Sequence, residues 1–138
     1  MSSKPGAGSS RTSRLLLVCV MLTVVAACAT AGGMRQAQNA EQAQDFDLAV
    51  AHYSRIVRAE PDNREARLGL ERARLRASEV HLGRGRRVFS QGRYDDAVVE
   101  LQVAYELNPT SGVIEDDLRV ARAAQRATAT RPVFFMAS

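Results

Sequence analysis

The chain has 138 residues, 46% of them hydrophobic and only 5% aromatic, with no Trp and a formal charge of +4. That length holds one small domain with a leader or tail, and a composition rich in Ala, Arg, Leu and Val favours helices over sheet. The positive charge does not carry a nucleic-acid reading, because Lys4, Arg11 and Arg14 all precede Leu15 while all 15 acids lie beyond residue 40; without the leader, 16 basic residues face 15 acidic ones.

Residues 1–14 are rich in Ser and Gly, and Leu15 to Ala27 is an unbroken apolar run, LLLVCVMLTVVAA. Thirteen helical residues reach about 20 Å, short of the roughly 30 Å hydrocarbon core, which is the profile of a signal peptide. The run ends Val25-Ala26-Ala27-Cys28, which resembles the lipobox of bacterial lipoproteins. That resemblance implies a leader at 1–27, an acylated Cys28 as first mature residue, and a lipid anchor in a bacterial membrane. Ala29 after the cysteine resembles an address on the periplasmic face of the outer membrane. The alternatives are an ordinary secretory leader or an uncleaved anchor. Cys19 would leave with the leader, so a mature chain holding Cys28 alone forms no internal disulfide. Residues 28–33 read as the lipidated cysteine and a short tether.

A helical domain is expected over 34–127. Met34 to Ala43 offers an alanine stripe, and Phe46 to Ala59 is a better marked helix closed by Pro61 and the Asp62-Asn63 turn. Gln91 to Pro109 carries the same device: with an offset of 48, Phe46 falls on Tyr94, Ala49 on Ala97, Tyr53 on Leu101 and Pro61 on Pro109. The segment between them has no Pro, Asn or Asp from Arg64 to Ala77. It reads as one helix from about Arg64 to Gln91, roughly 42 Å long at about 1.5 Å per residue. Leu68, Leu75, Leu82 and Phe89 recur every seven residues on one face, with Ala66, Leu70, Ala73, Ala77, Val80 and Val88 roughly opposite, as in a helix sandwiched between neighbours. A break at Gly83 to Gly85 is the rival. Thr110 or Ser111 caps a last helix through about Arg126, with Val113, Ile114, Leu118 and Ala121 inward. In the irregular tail, 128–138, Phe134 and Phe135 either fold back on the helices or form an exposed hook.

Spacing and residue types resemble the tetratricopeptide repeat. Its signature falls on Ala37, Phe46, Ala49, Tyr53 and Pro61 in the first copy, with Gln44 where Gly is usual. In the second it falls on Gly85, Gly92, Tyr94, Ala97, Ala104 and Pro109. The repeat unit of that family is about 34 residues long, so the offset of 48 leaves a surplus of about 14. The resemblance implies an all-α array of about five helices with one long central helix, working as a binding module for a protein or peptide. Ala43 to Ser111 further resembles the N-terminal segment of secretin-type lipoproteins, whose β-rich channel does not follow here.

Motifs for catalysis do not emerge, so no enzyme and no cofactor are expected. His52 and His81 lie far apart in the chain without a Cys partner, which is no metal-ligand pattern. His52 is expected to face solvent, and His81 to fill a packing position. Asp95-Asp96 and Glu115-Asp116-Asp117 suit helix starts. Arg84, Arg86, Arg87 and Arg93 are either a docking site for an acidic partner or a solvated face paired to Asp95 and Asp96; export argues against nucleic acid. The expected function is a membrane-anchored periplasmic scaffold holding a partner of the cell envelope in a secretion, pilus or envelope-assembly complex. The alternative is the spacer portion of a split or truncated secretin-like protein, inactive alone.

Overall fold

A computed structural model describes residues 32–130. Within them lie five α-helices and no strand: α1 over 32–42, α2 Phe46–Ala59, α3 Arg64–Ser90, α4 Tyr94–Leu107 and α5 Gly112–Ala129. The chain is therefore an all-α array. The leader, Cys28 and the tail with Phe134 and Phe135 lie outside the described residues.

The repeat is present in the backbone itself. Both α2 and α4 are 14 residues long, and the offset of 48 carries Phe46 onto Tyr94 at their starts and Ala59 onto Leu107 at their ends. The turns that enter them are built alike. Asp45 N–H donates to the Ala40 carbonyl at 2.9 Å and Arg93 N–H to Val88 at 3.1 Å, while Gln44 N–H reaches Glu41 and Gly92 N–H reaches Phe89. This is the hydrogen-bond pattern of a helix stop whose penultimate residue turns left-handed. Gly92 has φ of 76° and Gln44 has φ of 60°. The offset extends to the next helices: Asn63 caps α3 and Ser111 caps α5. Of these two, Asn63 alone closes its cap with a side chain, accepting from Ala66 N–H at 3.0 Å.

Packing divides into two clusters strung on α3. Ala37 and Ala40 of α1, Ala49, Tyr53 and Ile56 of α2, and Ala66 and Ala73 of α3 make the first. Ala97 and Leu101 of α4 and Leu118 and Ala121 of α5 make the second, with Leu82, Val88 and Phe89 of α3 packed against it. Burying a side chain such as Leu101 contributes about 1.5–3 kcal/mol, so each cluster depends on a few large residues seated among alanines.

α3 is continuous through Gly83 and Gly85 and sandwiched between α2 and α4. The sandwich is made by small residues and not by the leucine stripe. Ala66, Gly69, Ala73 and Ala77 are buried on the side of α2, where a Cβ on Gly69 would lie 2.5 Å from the Tyr53 ring. Ser78, His81 and Gly85 form the next line of buried positions, one residue and so about 100° further round. This second line faces α4: a Cβ on Gly85 would lie 2.7 Å from Leu101 Cγ. Leu82 and Phe89 are half-buried, but Leu68, Leu75 and Val80 are exposed, against expectation. Val113 is exposed too, while Ile114, Leu118 and Ala121 are inward. At the edges, Gly32 and Gly33 belong to α1 and not to a tether, and α5 runs to Ala129.

The paired turns give a direct comparison. A non-glycine residue held left-handed costs about 1 kcal/mol. Gln44→Gly should raise stability by up to about that amount and Gly92→Gln should lower it similarly, as read by denaturant unfolding. An unchanged midpoint in both variants would mean that the turns do not bear on folding.

Candidate interaction surface

The residues expected as the repeat signature are structural. Ala37, Ala49, Ala97 and Ala104 are fully buried, and Tyr53 is 1% exposed. Phe46 and Tyr94 are half-buried at helix starts, the latter edge-on to Phe89 with ring centroids 5.2 Å apart. Pro61 and Pro109 are exposed in the turns after α2 and α4, and Gly85 and Gly92 answer to close approach and to the left-handed turn. The buried alanines and Gly85 bear on how closely the helices approach, while Phe46 also borders the cleft described below.

The four arginines do not form one patch. Arg86 Nε donates to Asp117 of α5, Arg93 pairs with Asp96, and Arg84 and Arg87 make no ion pair among the described residues. At about 100° per residue Arg84 and Arg86 point to nearly opposite sides of α3. Asp95, expected as a partner of the arginines, instead accepts from Gln125 Nε2 at 2.8 Å. All four are exposed, and two of them are paired within the chain.

Two polar links hold the array across α3. Tyr53 donates its hydroxyl to Glu41 Oε2 at 2.8 Å, and Arg72 reaches the same oxygen at 3.3 Å, joining α2, α1 and α3. His81, 9% exposed, stands at the junction of the two packing clusters. Its Nδ1 lies 2.7 Å from Glu100 Oε2 of α4 and its Nε2 lies 3.2 Å from Asp47 Oδ1 of α2. A neutral imidazole donates to only one of these carboxylates, whereas the imidazolium donates to both. The role goes beyond the packing position expected for it, and only three-dimensional neighbours remote in sequence reveal it. His52 is half-buried on α2 rather than open to solvent. Among the described residues, no group of three or more His, Cys, Asp or Glu side chains is placed to hold a metal ion.

What remains open is one side of α3. Leu68 and Leu75, two turns apart, are 56% and 50% exposed. α1 flanks them through Glu41 and Arg72, and α5 approaches the same helix further along through Asp117 and Arg86. Leu75 lines an open cleft with Glu41, Phe46, Arg72, Arg76 and Glu79. At the level of Leu82 and Phe89 the same stripe packs against the second cluster. Near Leu68 it has no cover among the described residues, where α4 ends beside Arg74, whose guanidinium donates to the carbonyls of Glu106 and Leu107 at 3.3 Å.

No protein-family model matches this chain, and no curated protein matches its sequence. The fold and the surface therefore stand on the residues alone. Among the described residues, no helix is long and apolar enough to cross a membrane.

Burial, and then the hydrogen bond to Glu41 and the charges of Glu41 and Glu65, push the Tyr53 hydroxyl up to about 12, with Arg72 working against them. Its neutral form is favoured in the folded chain, so its contribution is fully present below about pH 10, where an unfolded tyrosine ionises, and is lost as pH rises through about 12. The thermal midpoint of the native chain should fall more steeply across that window than that of Tyr53→Phe. Equal slopes would show that the Glu41 contact is not coupled to folding.

Proposed function

We propose that this chain is a membrane-anchored periplasmic scaffold, a tetratricopeptide-like array that holds a segment of an envelope protein in a secretion, pilus or envelope-assembly complex. The observation that carries the binding role is the open leucine pair, Leu68 and Leu75, on a helix whose small residues are buried against its neighbours. Large apolar side chains side by side on a rigid element, bordered by Arg72, Arg76 and Glu79, have the make-up of a partner surface: an apolar centre with a polar rim. Supporting the family reading is the way the small signature residues pack. Ala37, Ala49, Ala97 and Ala104 are fully buried between helices, and two equivalent turns recur at the offset of the sequence repeat. The anchoring reading is supported by Val25-Ala26-Ala27-Cys28 following an apolar run.

Partner capture from the native envelope tests both readings. A photo-crosslinking residue at position 79, exposed beside Leu75 in the cleft, should trap one discrete envelope protein, and one at Val99, exposed on α4, should not. Leu68→Glu with Leu75→Glu should cut the adduct at least about tenfold, the scale of losing a central contact, without changing the melting profile. The same material should carry a metabolically labelled fatty acid that Cys28→Ser removes. An adduct indifferent to the leucine changes would sink the surface; an unlabelled Cys28 would sink the anchor.

A further inference from the structure

Cations gather at the end of the molecule where the described residues begin. α1 starts there, α2 ends there and α3 starts there: a Cβ on Gly33 would lie 3.4 Å from Ile56, and Gln38 Nε2 lies 3.4 Å from Glu65. Arg35, Arg55, Arg58, Arg64 and Arg67 all lie on these segments and all are exposed. None makes an ion pair among the described residues, whereas Arg72, Arg76, Arg86, Arg93 and Arg119 further along the chain are each paired. Three acids share that end. Of these, Glu60 accepts from Asn63 Nδ2 at 2.9 Å and Glu65 faces Gln38, which leaves Asp62 in the turn. The local balance is cationic, although the acids and bases of residues 32–130 are equal in number.

Residue 32 follows Cys28 by four positions, a span of at most about 14 Å when extended. With Cys28 held in a bilayer, as the anchoring reading above has it and on which this inference rests, the arginine end stays within reach of lipid headgroups. Guanidinium groups pair with phosphate oxygens through two parallel hydrogen bonds, and a membrane rich in anionic lipid draws in basic surface within about one Debye length. We propose that Arg35, Arg55, Arg58, Arg64 and Arg67 rest this end on an anionic phospholipid surface, so that α3 stands away from the bilayer. The far end of a 27-residue helix is then about 40 Å out. Flexible tethering alone would leave every side of the array free to face the lipid; the arginines select one end.

Vesicles with the purified full chain separate the two ideas. Single labels are placed at Asp62→Cys, in the turn between α2 and α3, and at Gln91→Cys, at the other end of α3. On vesicles with about 30% phosphatidylglycerol, the label at 62 should be shielded from an aqueous quencher and that at 91 should not. On neutral phosphatidylcholine both should be open. Shielding at 62 should vanish at about 0.5 M NaCl and fall at least about tenfold when Arg55, Arg58, Arg64 and Arg67 are changed to Gln together. These arginines are exposed, and the circular dichroism of the variant checks its fold. Equal quenching at 62 on both kinds of vesicle, or shielding that survives the four changes, overturns the inference. Salt-resistant retention on neutral vesicles reads the acyl anchor separately. Its loss, with anion-dependent shielding at 62 intact, would sink the anchoring reading and leave the arginine surface standing.

Discussion

Everything in this array depends on how closely α2 and α4 can approach α3. Tyr53 comes so near at Gly69, and Leu101 at Gly85, that a single added methyl group would overlap them. Overpacking of this kind costs about 1–3 kcal/mol, so the glycines are conditions of the packing even though each weakens the helix that holds it. Two lines of small residues, turned about 100° from one another, let α3 take one neighbour along its first half and another along its second. Without them the two clusters would have no shared spine, and the two copies of the repeat would have nothing to join them.

Much of this was legible in the sequence because local chemistry writes helix ends plainly. Pro61 and Pro109, the turn residues after α2, and the match of Phe46 to Tyr94 give the lengths of α2 and α4 and the offset between them. The absence of a stop between Arg64 and Ala77 gives the continuous α3. The leucine stripe was misleading for a physical reason. A seven-residue repeat drifts by about 20° per heptad on a straight helix, so Leu68 and Leu75 do not share the surroundings of Leu82 and Phe89. Glycine had two meanings that sequence does not separate: Gly83 has nothing near it, whereas Gly85 admits Leu101. The surface was hidden likewise. The surplus residues lengthen α3 without supplying a helix to cover it, and the arginines adjacent in sequence scatter around the axis.

The polar links show how such a thin core keeps one arrangement. Alanines bury little area, so the register between helices is fixed by directional contacts: Tyr53 to Glu41, Arg74 to the end of α4, and His81 between Asp47 and Glu100. Each crosses to a different helix, and those of Arg74 and His81 start from α3 itself, so a bend in α3 would pull them from their partners. A rigid α3 is also what the proposed scaffold requires, since it carries the open leucine pair at a set distance from the arginine end.

Rigidity of α3 is thus the claim on which the account stands, and a pair of spin labels measures it. With Cys19 and Cys28 replaced by Ser, labels at the exposed positions Glu65 and Arg87 of α3 have their Cα atoms about 33 Å apart along a straight helix. The account predicts a single narrow distance distribution near that value. A shorter or bimodal distribution would show that α3 bends between the labels and contradict it.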